Sequence, residues 1–170
     1  MAVFIALLRA VNVGGTGLLP MKDLAAMCSG IGFENVRTYI QSGNVVFKSR
    51  LGEKAIQAKL EKVLDAKMGK KVDVVVRTVA ELESILKANP FPDAPPAKVA
   101  VLFTSGPVPP GFADNIVAPG GEEVQSGKRE IYIYYPNGMG TSKLKLPRTD
   151  TPSTARNINT VAKLLAIATA

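Results

Sequence analysis

The residue types best suited to hold a ligand are gathered in three short segments: Asn12-Val13-Gly14-Gly15-Thr16-Gly17, Gln41-Ser42-Gly43-Asn44 and Thr154-Ala155-Arg156-Asn157-Ile158-Asn159-Thr160. Each combines side-chain amides or hydroxyls with glycine or arginine. None contains cysteine, aspartate or glutamate, and the chain has no histidine. Amides, exposed backbone N–H groups and a guanidinium recognise polar or anionic groups, whereas proton transfer calls for a carboxylate, imidazole or amine. The chemistry expected of these segments is therefore binding. Asn12, Gly14, Gly15, Gln41, Asn44, Arg156 and Asn157 are the candidate ligand-binding residues.

The first segment joins a strand-like run to a helix-like run, the place occupied by phosphate-binding loops. It matches neither the dinucleotide fingerprint nor the P-loop pattern, and glycines that only permit a turn would serve equally well. Ser42-Gly43-Asn44 has the composition of a hairpin turn. The third segment lies at or just before a helix start, where free N–H groups and a partial positive charge gather. An Arg there fits a phosphate or carboxylate fork-wise, or pairs with an acid beside an ordinary N-cap.

Composition removes several chemistries. Without histidine there is no Ser-His-Asp triad, and with a single cysteine there is neither an internal disulfide nor a usual zinc site. Cys28 falls on the apolar stripe of a predicted helix and reads as a small buried hydrophobe. No metal and no cofactor is called for. An enzyme would have to rely on residues such as Lys143, Lys145 or Asp150. The 21 Lys and Arg against 14 Asp and Glu give a net charge of +7. Such a balance serves solubility or attracts nucleic acid, and in segment 48–71 the lysines are interleaved with Glu53, Glu61 and Asp65, as on a solvated helix face. Apolar runs fall short of the ~20 residues of a membrane helix, so a cytoplasmic location is expected. Oligomeric state is left open.

The elements that must position these segments follow from periodicity. Val3–Leu8 reads as a buried strand, and Met21, Leu24, Cys28 and Ile31 recur at helical spacing. Val36–Ile40 and Val45–Phe47 form a hairpin, Ile56, Leu60, Val63 and Leu64 a long amphipathic helix ending near Gly69, and Val72–Val76 a further strand. The first 77 residues thus spell β-α-β-β-α-β, the ferredoxin-like order. In that order the first loop and the hairpin turn share one end of the sheet.

The half 78–170 is less regular. It offers a helix around Val79–Leu86, a Pro-rich connection at 89–96, a strand at Val99–Thr104 and a short helix at Phe112–Val117. A hairpin follows around Gly127-Lys128, with a turn at Asn137-Gly138 and a helical turn at Ser142–Leu146. The closing helix carries Ile158, Val161, Leu164, Leu165 and Ala168, with Thr151, Thr154 and Asn157 as alternative caps.

Taken together, Leu7-Leu8-Arg9-Ala10-Val11-Asn12-Val13-Gly14-Gly15, Tyr39-Ile40-Gln41-Ser42-Gly43-Asn44-Val45-Val46-Phe47, Asn89-Pro90-Phe91 and Thr154-Ala155-Arg156-Asn157-Ile158-Asn159-Thr160-Val161 resemble the mostly bacterial family catalogued as domain of unknown function 1697. Members often carry Gly or Ser in place of Ala10 and Trp in place of Ile158. The resemblance implies an α+β fold of two ferredoxin-like halves, antiparallel or mixed sheets with helices packed on one face. It implies no activity, cofactor or catalytic residue. The three polar segments fall in its signature stretches, which makes a shared site for an anionic small molecule, such as a nucleotide or phosphorylated metabolite, the leading expectation. Nucleic-acid binding through the basic surface and histidine-independent catalysis on a phosphorylated substrate are the alternatives.

Overall fold

A computed structural model describes residues 1–13 and 18–170 of the chain. The candidate residues Gly14 and Gly15 lie outside the described residues. The chain divides into two compact units, Met1–Glu83 with Lys163–Ala170, and Ser84–Ala162.

Unit 1 is built on a four-stranded antiparallel sheet. Its strands β1 (Ala2–Leu8), β2 (Glu34–Tyr39), β3 (Asn44–Ser49) and β4 (Val74–Thr78) lie in the order β2-β3-β1-β4. Helix α1 (Met21–Gly30) connects β1 to β2, and α2 (Glu53–Met68) connects β3 to β4. The period-2 geometry of a strand sends Phe4, Ala6 and Leu8 to one face. There they join Val45, Phe47, Val74 and Val76, and the helices cover them with Leu24 and Cys28 of α1 and Ile56, Leu60 and Leu64 of α2. Each of the valines, leucines, isoleucine and phenylalanines among them, fully buried, contributes about 1.5–3 kcal/mol. Phe33 stacks on Phe47 with ring centroids 4.2 Å apart. The alternate residues Ile5, Leu7, Val46 and Val75 are buried as well, which is why β1 reads as one continuous apolar run. Helix α2 stops where expected: Gly69 takes φ 71° and its N–H reaches back to Asp65 O at 2.9 Å.

Unit 2 repeats that plan with fewer helices. Strands β5 (Val99–Thr104), β6 (Glu123–Ser126), β7 (Glu130–Tyr134) and β8 (Ser153–Asn157) lie in the order β6-β7-β5-β8. The registers coincide as well. In unit 1 Ile5 is flanked by Val46 and Arg77; in unit 2 Val101 is flanked by Tyr132 and Arg156. At the end of the first strand Leu8 N–H donates to Gly43 O and Arg9 N–H to Asp73 O. Counting along the same registers, Thr104 N–H donates to Arg129 O and Ser105 N–H to Pro152 O. After each fourth strand comes a helix: α3 (Val79–Lys87) behind Arg77-Thr78, and α4 (Ile158–Thr169) behind Arg156-Asn157. Thr78 and Glu81 form a reciprocal capping box on α3. The two ferredoxin-like halves are thus related rung by rung.

Irregular chain stands in unit 2 where unit 1 has crossover helices. A 3-10 turn, Phe112–Asn115, replaces the first, and the stretch 135–152 replaces the second. Phe112, Val108, Leu144 and Leu146 pack against Leu102, Ile131 and Ile133. Two local expectations are corrected. Ser142–Leu146 is not a helical turn: Lys145 bridges Val117 in antiparallel fashion, with N···O distances of 3.0 and 2.9 Å. Thr154–Asn157 is not a loop before a helix but strand β8. Its inward positions are Thr154 and Arg156, polar residues where an apolar pattern marks most buried strands.

Candidate functional site

Two of the three polar segments meet at one end of the unit 1 sheet. Asn12 holds them together. Its Oδ1 accepts the Leu19 N–H at 2.6 Å, and its Nδ2 donates to Leu19 O and to Gln41 O, each at 2.8 Å. The Gln41 side-chain oxygen is 3.5 Å from the same nitrogen. One amide therefore pins both stems of the β1–α1 connection and fastens them to the β2–β3 turn. Asn44 is fully buried beneath that turn, donating to Tyr39 O and Ser42 Oγ at 2.9 Å. Gln41 is exposed.

The backbone here is strained. Ala10, Asn12 and Ile40 have φ of 56°, 58° and 49°. Asparagine tolerates the left-handed region, but a β-branched isoleucine there is an outlier. Replacing Asn12 by alanine removes three hydrogen bonds and puts a poorer residue at positive φ, so unfolding in urea should show a loss of about 1–3 kcal/mol. Asn12→Gly should recover only the conformational part, and a glycine variant as stable as the parent would show that the hydrogen bonds contribute nothing.

Arg156 and Asn157 belong to unit 2. The Asn157 Oδ1 accepts Asn159 N–H at 2.8 Å, which makes Asn157 the cap of α4, and its Nδ2 donates to Ala97 O at 3.0 Å. Arg156 is 7% exposed, and its Nη1 donates to Thr154 Oγ1 at 2.7 Å and Ala155 O at 2.9 Å. Burial lowers its pKa to about 10. Its counterpart Arg77 is buried too, with Nη1 donating to Val76 O at 3.0 Å. A buried arginine on the fourth strand is thus a structural feature of each half.

A further polar cluster in unit 2 was not singled out by motif or spacing. Glu122, 7% exposed, accepts Gly120 N–H on Oε1 and Ser142 Oγ–H on Oε2, both at 2.9 Å. Burial alone would raise its pKa, but hydrogen bonds from its own N–H, Ser142 and Gly120 outweigh burial and hold the carboxyl below its ordinary value. Around it lies a cavity of about 260 Å³ lined by Pro119, Gly120, Asn137, Thr141, Ser142 and Lys143. Nothing local in sequence joins residue 122 to 137–143; the turn at Asn137-Gly138 and the candidate base Lys143 fall in this region without pointing to Glu122.

Cys28 is fully buried and its thiol is pushed up to about 12, the opposite of an activated nucleophile. Among the described residues no group of three or more cysteines, aspartates or glutamates is placed to hold a metal ion, and no helix is long and apolar enough to cross a membrane.

No curated protein matches the chain. Conserved bacterial protein SP0830 from Streptococcus pneumoniae shares its fold, with a TM-score of 0.74 and 20% identity over 98% of each chain. The family model described as protein of unknown function (DUF1697) matches residues 1–132. With most of its length covered by that match, the chain belongs to the DUF1697 family.

Proposed function

We propose that this protein binds an anionic small molecule, of the nucleotide or phosphorylated-metabolite class, at the end of the unit 1 sheet. The observation that carries the reading is the strand-to-helix connection pinned by Asn12. It leads into α1, whose N-cap position is Pro20, a residue with no side chain able to cap. No side chain caps the start of α1, and the acid of its first turn, Asp23, lies 3.7 Å from Lys67, so the helix start keeps part of its positive end for an outside anion. Gly14 and Gly15 would add backbone N–H groups, and exposed Gln41 an amide. Asn12 acts by holding the two loops together, and Asn44 by bracing the β2–β3 turn from beneath. Arg156 and Asn157, engaged within unit 2, are assigned no ligand contact. The strain at Ala10, Asn12 and Ile40 supports a site here, because residues in sparsely populated backbone regions, costing about 1–3 kcal/mol each, gather at ligand clamps.

The test is thermal unfolding with inorganic phosphate, pyrophosphate and AMP. Ligand at 100 times its dissociation constant should stabilise by about 2.7 kcal/mol, and Asn12→Ala should lose most of that gain. No change in Tm at about 10 mM of any of the three would overturn the reading.

A second reading, nucleic-acid binding, is favoured by one observation. Lys54, Lys59 and Lys62 of α2 are exposed, with no ion pair among the described residues. It requires an oligonucleotide affinity that falls steeply with salt and drops when these lysines are replaced.

A further inference from the structure

We propose that the unit 2 cavity bounded by Gly120, Glu122, Asn137, Thr141, Ser142 and Lys143 binds a small zwitterion of the amino-acid type, its ammonium on Glu122 and its carboxylate toward Lys143.

Most of the donors around Glu122 are already used within the protein. Gly120 N–H and Ser142 Oγ–H go to the carboxylate, Asn137 Nδ2 goes to Gly120 O at 3.1 Å, and Thr141 Oγ1 goes to Asn137 O at 3.1 Å. Beside the carboxylate they leave mainly acceptors, namely its lone pairs, the Asn137 side-chain oxygen and the Thr141 hydroxyl oxygen, against the second Asn137 N–H. A ligand entering here has to bring donors, and a primary ammonium brings three with the right charge.

Charge points the same way. Among the described residues no lysine or arginine forms an ion pair with Glu122. Hydrogen bonds hold this carboxylate ionised without neutralising its charge, and it faces a space of about 260 Å³, the liquid volume of roughly nine waters. The site is also shaped for the carboxylate. A Cβ on residue 120 would lie 2.6 Å from Glu122 Oε2, so only glycine admits this approach. Lys143, exposed and free of ion pairs among the described residues, supplies a positive charge at the rim. A single carboxylate is a poor basis for a divalent-cation site, which normally recruits several oxygen ligands of higher total charge.

The experiment titrates the full ¹⁵N-labelled chain with glycine, L-serine, ethanolamine, lactate and, separately, Mg²⁺ and Ca²⁺. The amides of Gly120, Glu122 and Ser142 should shift with glycine and L-serine, less with ethanolamine, and not with lactate. Glu122→Gln should weaken amino-acid binding at least about tenfold. Lys143→Ala, a surface change that leaves the hydrogen-bond clasp intact, should weaken L-serine but leave ethanolamine unchanged. The proposal fails if no amine moves these amides at about 10 mM, if lactate binds as well as L-serine, or if only the divalent cations act. It also fails if folded Glu122→Gln binds as wild type does. Should Glu122→Gln not fold, the discrimination by Lys143→Ala decides. The anion site of unit 1 reports through amides near Asn12 and Gln41, so the two readings succeed or fail separately.

Discussion

Replacing Gly43 with alanine should lower the unfolding free energy by about 2–4 kcal/mol, a sum of two independent costs. Gly43 has φ 87°, a region closed to most side chains. It also lies against the end of β1: an added Cβ would stand 2.7 Å from Val11 Cγ2 and 2.9 Å from Leu8 Cβ. Both neighbours are buried, and Leu8 cannot retreat without stretching the 2.9 Å bond from its N–H to Gly43 O. For a chain of this size the loss should appear as a fall in Tm of roughly 5–15 °C. Gly69→Ala is the internal control. It shares a positive φ of 71° but has nothing within 4 Å of its added Cβ, so it should show the conformational cost alone, about 1 kcal/mol. Equal losses at the two positions would mean that the contact with Leu8 and Val11 is of no consequence. Because Gly43 adjoins the proposed anion site, its variant should also lose phosphate-induced stabilisation, whereas Gly69→Ala should keep it.

What could be read from the residues alone tracks how much of each element is apolar. In unit 1 the strands and helices announce themselves, since β1 is buried on both faces and α2 places Ile56, Leu60 and Leu64 on one. The meeting of Asn12 with Gln41 is legible too, as a consequence of strand order alone. Strand β8 was not. Its buried positions are Thr154 and Arg156 and its outward one Ala155, so the polarity pattern runs opposite to the usual one, and Arg156 was expected at a helix end. The duplication was hidden for a related reason. Its signature is a shared register, Ile5 with Arg77 and Val101 with Arg156, while the crossover helices that would have shown the repeat are absent from unit 2. Glu122 gave no signal, because a lone carboxylate acquires meaning only when a chain segment some twenty positions later folds against it.

Stability should hold steady from neutral pH to about 9 and then fall through the alkaline range, with Cys28 and Tyr132 as the principal causes. Burial pushes the Cys28 thiol from 9.0 to about 12. Burial, with a smaller part from the charge of Glu130, pushes the Tyr132 phenol from 10.0 to about 12, where its hydroxyl donates to Ile85 O at 2.7 Å. For both groups the folded pKa is raised, so the unfolded chain gives up its proton first. Between the two pKa values the folded state binds more protons, and stability declines as pH rises. At the alkaline limit the thiol corresponds to at most about 4 kcal/mol, and the phenol adds a smaller amount of the same sign. Arg156 has the opposite sign. Burial lowers its folded pKa, but a guanidinium that donates to Thr154 Oγ1 and Ala155 O keeps its proton over this range. It therefore leaves the decline set by the thiol and the phenol. Urea unfolding at intervals from pH 7 to 11 measures the slope, and the slope rather than the absolute stability carries the test, since Cys28→Ala also leaves a small void. Cys28→Ala should flatten the curve from pH 9, Tyr132→Phe from pH 10, and the double variant should flatten it most. A thiol reagent gives an independent check: at pH 8 the folded protein should react about a thousandfold more slowly than an ordinary cysteine. If Cys28→Ala unfolds with the same alkaline slope as the parent, the buried thiol is not what ties this fold to pH.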